Sequence, residues 1–182
     1  MSDTQSTQTS QAQSEVDSSE IATYRRLFAE RYQELEALLA DLPNEALLWK
    51  PFEQSPWQGP CNSLGEIAAH AISSTVYLLR RAEYSLGRRE WDTVDGDEGP
   101  EEFGPANHDL GYLQARVRRT HEFVESFLDS VTEADLNAVR AHPMRPRQFV
   151  ARYDVMHALE HLALHVGHGQ ITRQLWAIHA AA

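Results

Sequence analysis

The sequence has a single cysteine, Cys61, among 182 residues. One cysteine cannot form an intrachain disulfide, and it excludes a zinc site made of cysteines alone. Any metal site must therefore use His, Asp or Glu. Cys61 precedes a predicted helix, which would favour its thiolate, but a lone cysteine is more often buried than nucleophilic.

Long apolar runs are also missing. No stretch approaches the roughly 18 to 20 residues that a membrane helix needs, and the N-terminus lacks the basic and apolar parts of a signal peptide. The 27 acidic residues outnumber 16 basic ones, giving a formal net charge of -11. Such a field repels nucleic acid and anionic membranes, so we expect a cytoplasmic protein whose partner is a small molecule.

Several motifs of common enzyme classes are absent. There is no Gly-x-Ser-x-Gly elbow for a hydrolase, and no Gly-x-Gly-x-x-Gly or Walker loop for a nucleotide. The acidic segment 92–102 misses the spacing of an EF-hand calcium loop. The remaining chemical lead is histidine, because five of the nine histidines fall between His157 and His179.

The pattern of apolar residues predicts four helices. Residues 1–17 are nearly all Ser, Thr, Gln and acid, which predicts a disordered tail before a single domain over 18–182. Beyond them, apolar residues recur every three or four positions, and no alternating strand pattern or repeat is present. The fold class is therefore an all-α four-helix bundle with long linkers, so that a crossover and an up-down-up-down order both stay open. The predicted helices are Ser18 or Ser19 to about Leu42, Ser63 to about Leu86, Asn107 to Ser130, and Gln148 to His179.

Shorter features mark the boundaries of these helices. Ser63 and Glu66 have the spacing of a capping box at the start of the second helix. Prolines interrupt the chain in residues 43–62, where at most a short turn is expected at 44–48. Seven acids make 90–102 a solvated loop, and another short turn is expected at 132–136.

The last predicted helix places His157, His161 and His165 at successive four-residue steps. Each step returns to nearly the same stripe of the helix, about 6 Å further along. All three cannot bind one ion, because the outer two lie about 12 Å apart and metal–nitrogen bonds are about 2.0 to 2.1 Å. The sequence therefore allows the His157/His161 pair or the His161/His165 pair, with a third ligand from another helix.

His70 is the natural third ligand, because it lies on or beside the apolar face of the second helix. A histidine on such a face more often only makes a hydrogen bond in the core. A ligating histidine also donates its other ring N–H to an acceptor, and the nearby candidates are Glu66, Asp154 and Glu160.

A His in the second helix followed about 90 residues later by His-x3-His-x-Gly resembles the DinB/YfiT-like family of candidate metalloenzymes. The entry Asn62-Ser-Leu-Gly-Glu-Ile-Ala-Ala-His70 and the loop with Pro56 and Trp57 are also similar, so the resemblance spans about residues 19–180. It implies an up-down-down-up bundle, a homodimer, and a divalent metal held by His70, His161 and His165. One departure is that Gly167 precedes His168 where many members have Gln, so His157 and His168 are kept as reserve ligands.

Three neutral imidazoles leave at least one metal position open, which suits a catalytic site. Imidazole binds several divalent ions, of which Zn²⁺ is expected first and Ni²⁺ second. Similar families include transferases in which a low-molecular-weight thiol attacks an electrophile, and this is the expected activity. The alternative is a non-catalytic metal-binding or stress-response protein, in which a fourth protein ligand would close the site.

Overall fold

The computed structural model describes residues 19–54, 61–95 and 102–182. The predicted tail, 1–17, and the loop residues Pro56 and Trp57 lie outside these ranges. Within them the chain is mainly helical, with a small hairpin and three short 3-10 turns at Trp91–Thr93, Pro105–His108 and Asp135–Asn137. The helices are α1 Glu20–Leu38, α2 Asn44–Leu48, α3 Leu64–Ser85, α4 Leu110–Ser130 and α5 Ala151–Ala180, and the strands are β1 Val139–Ala141 and β2 Gln148–Val150.

Side-chain caps fix the starts of the long helices. The predicted capping box of α3 is confirmed: Ser63 Oγ accepts from the Glu66 N–H, and the Glu66 carboxylate accepts from the Ser63 N–H. α4 begins three residues later than expected, because Asp109 supplies the capping oxygen after a 3-10 turn. α1 ends at Leu38 instead of Leu42, since Asp41 takes a left-handed backbone conformation with φ of 55° that no α-helix continues.

α1 runs parallel to α5. At one end, Arg152 in the first turn of α5 donates to Glu20, the first residue of α1, at 3.0 Å. At the other end, Arg173 donates to the carbonyl of Ala37 at 2.7 Å. Like ends of the two helices therefore lie together.

α3 and α4 also run parallel to one another. Arg116 in α4 donates to Ser73 Oγ in α3 at 2.9 Å, and Arg88, just after α3, donates to the carbonyl of Ser130 at the end of α4. α3 is antiparallel to α5, because Arg81 near its end forms an ion pair at 2.6 Å with Asp154 near the start of α5. These directions confirm the up-down-down-up order.

The hairpin is a departure from the all-helical expectation. β1 and β2 pair antiparallel, with Arg140 opposite Phe149. Phe149 is buried against Tyr84 and Trp91. Strands of three residues are too short to show a recognisable alternation, so the pattern placed the start of α5 at Gln148, within β2.

The core lies between the four long helices, where α3 packs against α4 and α5 and α1 packs against the same two helices, and α2 covers the start of α3. Gly65 allows this close approach: a Cβ atom at this position would lie 2.8 Å from the carbonyl oxygen of Leu47 in α2. The loop that follows α2 is thereby held near the start of α3. No helix in the described ranges is both long and apolar enough to cross a membrane.

Candidate metal centre

The packing of α3 against α5 brings three histidines together. The ring of His70 in α3 lies 5.0 Å from that of His161 and 4.7 Å from that of His165, both in α5. The rings of His161 and His165 are 4.4 Å apart. These three residues are the predicted set, and we call them the histidine cluster.

The nitrogen positions in the histidine cluster suit a metal ion. One ring nitrogen from each residue can be chosen so that all three lie within 4.8 Å of one another. The Nε2 atoms of His161 and His165 are 3.3 Å apart. A tetrahedral ion with bonds of about 2.0 to 2.1 Å separates two ligand nitrogens by about 3.3 Å. The cluster therefore has nearly the spacing that a single ion requires.

Burial favours the neutral form of the two cluster histidines on α5. Burial, aided by the neighbouring histidines, lowers the pKa of His165 to about 4 and also lowers the pKa of His161. The Nδ1 atoms of both residues are buried without a hydrogen-bond partner among the described residues. A neutral imidazole can bind a metal near pH 7 without first losing a proton, so these two histidines are competent ligands.

A carboxylate holds His70 from the side. The Glu102 carboxylate contacts Nδ1 of His70, and Ser74 Oγ lies 3.4 Å from the same atom. Glu102 itself is anchored through its backbone, because the Asn107 amide donates to its carbonyl at 3.3 Å. The Asn107 oxygen in turn accepts from the buried Arg116 at 2.6 Å. His70 is thus held with Nδ1 against Glu102, while its Nε2 lies 3.5 Å from Ser74 Oγ.

The three acids expected to orient a ligand lie elsewhere, so that expectation is wrong. Glu66 bonds to Lys50 and caps α3, Asp154 pairs with Arg81, and Glu160 contacts His157. Glu102 could not be predicted as the partner of His70, because it lies in an acidic segment without periodicity, 32 residues from His70. We find no sequence signal that separates it from its acidic neighbours.

The two reserve histidines lie beside the cluster. The ring of His157 is 6.0 Å from that of His161, and the ring of His168 is 5.5 Å from that of His165. Neither belongs to the set of nitrogens within 4.8 Å. Among the described residues, that set also contains no Cys, Asp or Glu.

A sequence model of the DinB superfamily matches residues 27–168, which include all three members of the cluster. The chain belongs to the DinB superfamily. The match covers α2, α3 and α4, most of α1, and α5 as far as His168, so the DinB fold and the bundle described above are the same unit. A comparison with curated proteins found no match.

Proposed function

We propose that this DinB-superfamily protein is an enzyme that transfers a low-molecular-weight thiol to an electrophilic small molecule. His70, His161 and His165 would hold a divalent ion, with Zn²⁺ first and Ni²⁺ second on the chemistry of imidazole ligands. The observation that carries the proposal is the donor set: three imidazoles with ring nitrogens within 4.8 Å of one another, a set that no other His, Cys, Asp or Glu of the described residues joins. Such a set leaves a position for a reactant.

The ion, when bound, lowers the pKa of a thiol so that the sulfur is nucleophilic near pH 7. The protein itself keeps the ligating histidines in position and in the form that binds the ion. His161 and His165 stay neutral because burial lowers the pKa of each. Glu102 contacts Nδ1 of His70, and a hydrogen bond donated by Nδ1–H to this carboxylate would leave the lone pair on Nε2 for the ion.

The test is metal content and turnover in the same preparations. Wild type should carry one divalent ion per chain by elemental analysis and consume thiol in the presence of an activated acceptor. His161→Ala should lose both, whereas the matched change His157→Ala, one turn earlier on α5, should retain both. If the protein binds one ion but consumes no thiol with any thiol and acceptor tested, the proposed enzymatic function is refuted. The non-catalytic metal-binding alternative is then favoured.

The expected homodimer also remains a proposal. Met156 and Leu164 are exposed on α5 eight residues apart, so they lie on one stripe of the helix. A second copy of the chain packed there would cover them. Sedimentation analysis of wild type and Leu164→Asp tests this, since the charge should produce a monomer if the stripe is the interface.

A further inference from the structure

A cavity of about 280 Å³ lies beside the histidine cluster. His165 forms part of its wall, so the cavity contacts one member of the cluster. Most of the remaining wall is apolar and comes from the loop after α2, the first turn of α3 and the C-terminal part of α5. These apolar residues are Pro51, Phe52, Ile67, Ile171 and Leu175.

The wall carries no formal charge. None of the described residues that line it is Asp, Glu, Lys or Arg, although the chain has 43 such residues in all. The Thr172 hydroxyl in the wall already donates to the carbonyl of His168 at 3.0 Å. Besides His165 and Thr172, the other polar side chains of the described wall are Cys61, Asn62 and His168. Few polar groups are therefore available to recognise a ligand, and the volume lies near the lower limit for small-molecule sites.

Two large apolar side chains flank this cavity in an exposed state. Phe52 is 56% exposed and Ile171 is 59% exposed. Single exposed apolar residues are ordinary on protein surfaces. Here, however, two of them border one apolar cavity that reaches a predicted metal ligand, which is the arrangement of a binding site.

We propose that this cavity binds the electrophilic acceptor through an uncharged apolar part, such as an aryl or short alkyl group. The inference rests on the proposed function, of which it names the substrate class. In the transfer, the S–H bond of the thiol and the bond from the acceptor carbon to its leaving group break. The sulfur–carbon bond forms, and the proton departs with the leaving group. The cavity positions that carbon next to His165.

The first experiment measures binding and does not depend on turnover. Two probes of similar size are compared by ¹⁹F NMR with the metal-loaded protein: neutral 4-fluorobenzyl alcohol and anionic 4-fluorobenzoate. Cys61 also lines the cavity and is the only cysteine, so its rate of alkylation by iodoacetamide reports occupancy. The alcohol should bind and slow alkylation several-fold at saturation, whereas the benzoate should do neither. Equal effects of the two probes, or no effect of the alcohol, would overturn the proposal.

The second experiment fills the cavity. Ile171→Trp places a larger side chain at the rim, and Ile178→Trp makes the same change one heptad later on α5, away from the wall. Binding of the alcohol should weaken at least 10-fold in the first variant and stay unchanged in the second, with equal metal content. Unchanged binding in Ile171→Trp would refute the assignment. A change in sedimentation confined to Ile171→Trp would also refute it, because the residue would then belong to an interface between copies.

Failure of this inference and failure of the proposed function give different results. If the protein consumes thiol but does not bind the neutral probe, the cavity is not the acceptor site, and the proposed transferase activity still stands. Binding of the neutral probe at the cavity without thiol consumption would remove the transferase and keep an apolar binding site beside His165.

Discussion

Replacing Glu102 with alanine is expected to weaken metal binding about 10-fold, equivalent to about 1.4 kcal/mol. The carboxylate contacts Nδ1 of His70, and a hydrogen bond from this nitrogen would hold the ring and leave Nε2 for the ion. Loss of such a partner costs about 10- to 100-fold in metal affinity in known sites. We place Glu102 at the lower end, because Ser74 Oγ remains 3.4 Å from the same nitrogen and can replace part of the bond.

The substitution should leave the fold intact. Asn107 holds residue 102 through its backbone carbonyl, which alanine retains, and Asn107 is held in turn by Arg116. The side chain of Glu102 is 20% exposed, so its removal leaves no large cavity. A weaker metal site can therefore be assigned to the lost carboxylate.

The assay is competition for Zn²⁺ against a chromogenic chelator at pH 7.5. Glu160→Ala is the matched control, because it removes the same charge beside His161 but contacts only His157. Glu102→Gln should lie between Glu102→Ala and wild type, since the amide oxygen still accepts a hydrogen bond. Wild-type affinity in Glu102→Ala would refute the positioning role. An equal loss in Glu160→Ala would show that net charge, and not the contact, sets the affinity.

Three further outcomes are expected. Gly65→Ala should lower the free energy of unfolding by about 1 to 3 kcal/mol in urea titrations, because the new Cβ atom would lie 2.8 Å from a backbone oxygen. Gly167→Ala is the control: a Cβ atom there meets nothing within 4 Å, so this change should raise the free energy of unfolding by up to about 1 kcal/mol. The pKa of His165 is lowered to about 4, so the unfolded chain binds more protons below pH 6.5 and the metal-free protein should lose up to about 3 kcal/mol between pH 6.5 and 4. His165→Gln should lack this loss, and equal urea-unfolding curves for the two proteins over that range would contradict it. Deletion of residues 1–17 should leave the melting temperature unchanged, and a drop of several degrees would mean that the segment packs on the domain.

Local signals in the sequence were sufficient for the long helices. Ser63 and Glu66 marked the start of α3 because a capping box depends only on residues three positions apart. The four-residue spacing of His161 and His165 likewise placed them on one stripe of α5. Such features need no knowledge of the rest of the fold.

Features that depend on contacts between distant residues could not be predicted from such local signals. The β-hairpin is fixed by packing of Phe149 on Tyr84 and Trp91, not by strand propensity over three residues. Glu102 is set opposite His70 by a loop anchored through Asn107. In both cases the contact that fixes the structure joins two distant segments, and no periodic pattern of residues in the sequence links them.

The choice between the two histidine pairs on α5 is a question of register, and packing answers it. Eleven residues separate His70 from Arg81 on α3, and eleven separate Asp154 from His165 on α5. Because α3 and α5 are antiparallel and both spacings are eleven residues, one alignment of the two helices forms both the Arg81–Asp154 ion pair and the His70–His165 contact. The two contacts are about 16 Å apart along the helices. A shift of one turn would place His157 and His161 opposite His70 instead of His161 and His165, but it would also leave the Asp154 carboxylate, which is 0% exposed, without its cation. An unpaired buried charge costs several kcal/mol, so the ion pair at one end of the α3–α5 contact excludes the alternative histidine pair at the other.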